Sequence, residues 1–199
     1  MPARKKYDII RSAMLLQLGK DLPVNLLYHS IEHTIDVEMQ AERIANENAC
    51  SREDLFRLKL ACLYHDSGFL FTYNDHEEAG CNLARKELPA FGVAPGEIAI
   101  ICGLIRATRI PQTPLCKLEE IICDADLDYL GRPDFFSISN CLFFELKARD
   151  LVKSENEWNL IQINFFKKHT YFTASSKQLR EPLKQRHLQI ITSLAESGS

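Results

Sequence analysis

Apolar positions along the chain recur at helical spacing, and few stretches show the strict alternation of a strand. Read this way, helices are predicted at roughly 4–20, 30–48, 52–65, 76–88, 95–107, 116–130, 134–152, 155–170 and 175–196. Local signals support the limits. Ser51 followed by Asp54 resembles an N-terminal cap, Pro95 suits a first turn, and Gly68 and Gly131 stand just past predicted helix ends. Pro111 and Pro114 enforce a connection between two helices. No linker, repeat or low-complexity stretch intervenes. The pattern predicts one all-α domain over 1–199, a helical bundle with its motif-bearing core at about 25–131 and C-terminal helices 132–199 packed on it.

Composition narrows the class without changing the fold. The 199 residues are 46% hydrophobic and 26% charged, the balance of a folded water-facing protein. Apolar runs such as Ile98–Ile105 fall short of the roughly 20 residues that cross a bilayer. The basic start is followed by no apolar signal region, so the expectation is a cytoplasmic protein with no membrane partner. Seven cysteines, an odd number with no Cys-x-x-Cys pair, argue against a disulfide framework or a zinc finger. A net charge of −3 carries no strong nucleic-acid signal.

Three pieces of sequence carry candidate chemistry. His29 and His33 stand four apart in Tyr28-His29-Ser30-Ile31-Glu32-His33; on a helix both fall on the face continued by Val37, Ala41, Ile44 and Ala45. Taken alone, such inward histidines are more often a hydrogen-bonded core feature. In the second, the apolar run Leu60–Tyr64 ends in adjacent His65 and Asp66, then Ser67-Gly68. A helix C-terminus and a carboxylate both favour a nearby cation, although a charged last turn explains the same residues. The third, Cys123-Asp124-Ala125-Asp126-Leu127-Asp128, sets three carboxylates at alternate positions of an apolar helix. A carboxylate at the edge of that buried face needs a partner or a metal, while at least one of Asp124 and Asp128 reads as a solvated surface charge. Together the pieces supply two imidazoles and two carboxylates from three helices, the way helical folds build metal sites. Mixed nitrogen and oxygen donors suit Mn, Fe, Ni, Zn or Mg better than a thiolate-seeking metal.

The order His33 … His65-Asp66 … Asp126 resembles the HD-domain metal-dependent phosphohydrolases, over roughly 25–131. Tyr28-His29-Ser30-x-x-His33-x-x-Asp36-Val37 is similar to the corresponding segment of cyclic-nucleotide phosphodiesterases, a branch of that superfamily. The resemblance implies metal ligation by His33, His65, Asp66 and Asp126. It makes His29 a candidate general acid, and Ala125-Asp126-Leu127 selects Asp126 over Asp124. Two departures stand out: Ser67-Gly68-Phe69 follows where those phosphodiesterases carry a further His, and Ile105-Arg106-Ala107-Thr108 lacks the His of dinuclear types. One metal ion is therefore expected.

Further roles follow as expectations. Asp66 or Asp126 also orients the attacking water, and His76, in line with Gly80 and Leu83, faces inward toward substrate phosphate or in a supporting role. Arg106, Arg109 and Arg132 are candidate phosphate neighbours, each ordinarily a surface residue. Trp158–Phe166 reads as core packing, and Lys177, Arg180 and Lys184 as a basic stripe on a solvated face. The resulting expectation is a phosphohydrolase, phosphodiesterase or phosphomonoesterase, acting through metal-activated water on a small phosphorylated substrate such as a nucleotide. A homodimer is compatible with it. The alternative is an HD-fold regulatory module that binds metal or nucleotide without significant turnover.

Overall fold

A computed structural model of the protein describes residues 3–197. Among them the chain forms nine α-helices joined by loops and single 3₁₀ turns, with no strand. In order these are α1 (Ala3–Asp21), α2 (Ile31–Glu47), α3 (Arg52–Tyr64), α4 (His76–Glu87), α5 (Pro95–Ala107), α6 (Lys117–Asp126), α7 (Phe135–Lys147), α8 (Glu155–Lys168) and α9 (Ala174–Ser197). No helix among the described residues is long and apolar enough to cross a membrane.

The helices fall into two compact units, one of residues 1–23 with 29–126, the other of 24–28 with 127–199. In the first, α3 packs against α1, α2, α4, α5 and α6. Its sequence explains the position: Leu58 and the run Leu60–Tyr64 are buried on every side, as in a helix with no solvent face. Around it gather Ile10, Met14, Val37, Ile44, Ile101 and Ile122. Ser51 caps α3 by accepting from the Asp54 N–H (3.0 Å), as its sequence predicts.

Two predicted helices are shorter than expected. Residues 116–130 do not run as one helix: α6 stops at Asp126, and Asp128–Gly131 forms a separate 3₁₀ turn. The helix predicted to 152 ends at Lys147. The glycines expected to stop helices serve close approach instead. A Cβ on Gly68 would lie 1.8 Å from the His76 carbonyl oxygen, and one on Gly131 would lie 2.3 Å from the Arg180 carbonyl oxygen.

In the second unit Tyr28, Leu127, Leu130, Phe135, Phe166 and Ile191 form the main core. Asp124 of the first unit and Asp128 of the second are both fully buried, so neither is a solvated surface charge. Asp128 accepts from Arg180 Nε (2.9 Å), with Arg132 Nη1 at 3.7 Å. The basic stripe is likewise not a solvated face. Lys184 is buried and donates to the His169 carbonyl (2.7 Å) and to Glu181 (3.1 Å), and of the three only Lys177 is exposed.

Candidate metal centre

The motif residues of the first unit come from the ends of helices, where a side chain can leave its own helix and meet others. His33 stands in the first turn of α2, behind the N-cap Ser30. His65 is the C-cap of α3, and Asp66 follows with φ −101° and ψ 0°, a conformation of turns rather than helices. Asp126 is the last residue of α6. His65 Nδ1–H donates to the Cys62 carbonyl (2.8 Å), which fixes the ring and turns Nε2 toward the others.

Donor atoms of His33, His65 and Asp66 gather within reach of one another, and Asp126 approaches both histidines. His33 Nε2 lies 3.3 Å from His65 Nε2, 3.4 Å from Asp66 Oδ2 and 3.2 Å from Asp126 Oδ1. His65 Nε2 lies 3.2 Å from Asp66 Oδ2 and 3.6 Å from Asp126 Oδ1. Ligands each about 2.1 Å from a shared ion are about 3.0–3.4 Å apart, so this spacing suits a first-row divalent cation. Asp66 Oδ2 adds a second indication: it is buried and has no hydrogen-bond partner, although two imidazole nitrogens stand within 3.4 Å. Such an atom is costly unless a cation or proton meets it. His33, His65 and Asp66 together form a buried group able to hold a metal ion.

The electrostatics of the metal-free cluster agree with that fit. Burial disfavours the charged form of His65, but Asp66 and Asp126 outweigh it and hold its pKa well above the ordinary value. Burial likewise opposes ionisation of Asp66 and Asp126. The neighbouring histidines prevail and keep both below the usual carboxylate range. The two carboxylates thus favour positive charge at His65.

His29 is not on the helix with His33. α2 begins at Ile31, and the extended backbone of Ser30 (φ −110°, ψ 177°) puts His29 before it. Its ring nevertheless packs on Phe69, with centroids 4.2 Å apart, and stands 6.2 Å from the His33 ring and 6.1 Å from the His76 ring. His76 opens α4 and stacks on Phe69 (4.0 Å, 18°). Its Nε2 approaches Asp66 Oδ1 (3.5 Å) and Glu77 Oε1 (3.8 Å). Burial lowers the His76 pKa, but Asp66 and Glu77 raise it more, and the net shift is upward.

Two of these neighbours, Phe69 and Glu77, were not predicted from sequence. Phe69, 4% exposed, is the surface on which both outer histidines rest. Glu77 is a buried carboxylate that also meets Arg109 Nη2 (3.3 Å). Of the arginines, Arg109 reaches the cluster's edge through Glu77 and also bonds Asp75. Arg106 is occupied by Glu78 (2.7 Å). Arg132 belongs to the second unit and pairs with Asp134 (2.6 Å).

Fold and cluster define an all-helical protein with a buried histidine–aspartate centre. Residues 30–128 match the HD domain, and the chain belongs to the HD-domain superfamily. It is similar in structure to a predicted HD superfamily hydrolase from an uncultured Thermotogales bacterium, with 21% sequence identity and a TM-score of 0.59. That match covers 94% of this chain and 92% of the other, and at this identity it speaks to the fold. Curated proteins yielded no match.

Proposed function

We propose that the protein is a divalent-metal-dependent phosphohydrolase that cleaves a phosphoester of a nucleotide or related metabolite. The observation that carries this reading is the gathering of His33, His65 and Asp66 within 3.2–3.4 Å of one another, with Asp126 3.2–3.6 Å from both histidines. HD-domain membership supports the hydrolase class. Those four side chains would hold Mn, Fe, Ni, Zn or Mg, whose oxygen and nitrogen preferences match the donors.

When bound, such an ion supplies Lewis-acid polarisation of a phosphoryl oxygen and acidifies water. The chain's own groups do the rest. Asp66, whose two oxygens face different neighbours, orients the attacking water and can take its proton. His76 and His29, braced by Phe69, stand on the outer side of the cluster. There a proton given to the leaving oxygen contributes roughly 10²–10⁴-fold in rate. Arg109, half exposed beside Glu77, offers positive charge to the phosphate.

The test is hydrolysis of bis-p-nitrophenyl phosphate, then a panel of nucleotides and cyclic nucleotides with each divalent ion, followed by phosphate or nucleoside release. Metal-dependent turnover abolished in Asp66→Ala supports the reading. Metal bound without turnover of any phosphoester would instead favour a regulatory module.

A further inference from the structure

The second unit holds a cavity of about 320 Å³ that the proposed chemistry does not use. It lies among α7, α8 and α9, and its composition is unusual for a gap between helices. Four of its lining side chains are aromatic: Trp158, Phe143, Phe136 and Phe144. Beside these stand uncharged hydrogen-bonding groups: Ser139, Asn140, Asn156, Asn159 and Gln162. The volume falls at the lower end of small-molecule sites, which combine apolar walls with a few placed polar groups.

Part of the polar lining is fixed in place. Trp158 Nε1–H donates to Ser139 Oγ (3.3 Å), Ser139 donates to Gln162 Oε1 (2.6 Å), and Gln162 Nε2 donates to Asn159 Oδ1 (3.4 Å). Ser139 and Gln162 are buried, so this relay is held away from solvent. Asn156 lines the cavity as well, and its buried Oδ1 has no hydrogen-bond partner. Trp158 and Phe143 lie near parallel (29°), and Phe136 and Phe144 are partly exposed beside them.

Charge sets the ligand class. No lysine or arginine lines the cavity among the described residues, and Glu155 is the one ionisable group there. An anion is therefore disfavoured. Carboxamides both donate and accept, and aromatic walls favour a flat partner. We infer that this cavity binds a neutral, planar heteroaromatic ligand with donor and acceptor edges: a nucleobase, carried as a nucleoside. This site stands on residues of the second unit and does not rest on the phosphohydrolase reading.

Trp158 is the sole tryptophan, so its emission reports the cavity directly. The full-length protein is titrated with adenosine, guanosine, cytidine and uridine. A saturable change in emission is expected for at least one of them. Asn156→Ala should weaken binding about three- to tenfold, the worth of one hydrogen bond. Asn140→Ala, at an exposed position, should also weaken it and keeps the test decisive if Asn156→Ala unfolds. Asp66→Ala should leave the titration unchanged. The inference is overturned by no saturable change at millimolar nucleoside, by an equal response to glucose, or by titrations unaltered in both asparagine variants. Loss of the response in Asp66→Ala overturns it too, because the signal would then belong to the metal centre.

Discussion

Gly68→Ala probes how tightly the centre is assembled. The added Cβ would lie 1.8 Å from the His76 carbonyl oxygen, 2.6 Å from its carbon and 2.9 Å from the Gly80 nitrogen. A carbon and a carbonyl oxygen need about 3.3 Å. The start of α4 must therefore retreat by about 1.5 Å, and all three obstructing atoms are backbone. The same interface is equally close at Gly80, where an added Cβ would meet the Tyr64 carbonyl oxygen at 2.5 Å. Overpacking costs roughly 1–3 kcal/mol, and a rigid backbone obstacle places this variant near the top, at about 3 kcal/mol. For a chain of this size that lowers the melting temperature by about 6–12 °C. His76 moves with the backbone, and a misplacement of about 1 Å can cost about 10²-fold in rate. Helical circular dichroism on heating gives the first quantity, and phosphoester turnover of the folded variant gives the second. Gly96→Ala is the control: nothing lies within 4 Å of its added Cβ, and Gly96 occupies the first turn of α5. It should be neutral or stabilise by up to about 1 kcal/mol. If Gly68→Ala melts with wild-type protein, the close packing of α4 on the 67–70 turn is not as described.

Three further outcomes are expected. His29→Ala keeps its metal and loses about 10²–10⁴-fold in rate, because the ring lies beyond the four candidate ligands; loss of metal in this variant would make it a ligand. Metal binding releases a proton, since ligation needs neutral His65 and Asp66 holds that group protonated well above its ordinary pKa. Without metal, His65 therefore contributes stability that is full below about pH 6.5 and declines as pH rises through the raised pKa. Asp66 and Asp126 contribute stability that is full above about pH 4 and lost as pH falls through their lowered values. Calorimetry in buffers of differing ionisation enthalpy counts the proton; metal affinity flat between pH 6 and 7 would contradict the competition, which predicts about tenfold tightening. Arg180→Ala withdraws the 2.9 Å partner of a fully buried carboxylate and should cost on the order of 3 kcal/mol in urea unfolding, against a negligible loss if that pair were solvated.

What the sequence disclosed divides along physical lines. Helix positions follow from local periodicity, and the His65-Asp66 pair is conspicuous because two polar residues close an apolar helix. The early end of α6 was hidden, since Leu127, Tyr129 and Leu130 continue the apolar pattern while serving the core of the other unit. Asp128 could not be paired with Arg180, because a contact across 52 residues leaves no local trace. Phe69 carries no chemical signal of its own in the sequence, and only the packing of His29 and His76 against its ring gives it a positioning role. His29 shows the opposite case: helical spacing suggested a shared face, the N-cap at Ser30 removed it from the helix, and proximity to the centre survived for a different reason.

The central claim is that His33, His65, Asp66 and Asp126 hold a divalent ion. Its most direct test is elemental analysis of wild-type protein and Asp66→Ala, both purified without added ions and both shown to be helical. The account predicts about one equivalent of a divalent metal in the wild type and none in the variant. Equal metal content in the two proteins would contradict it.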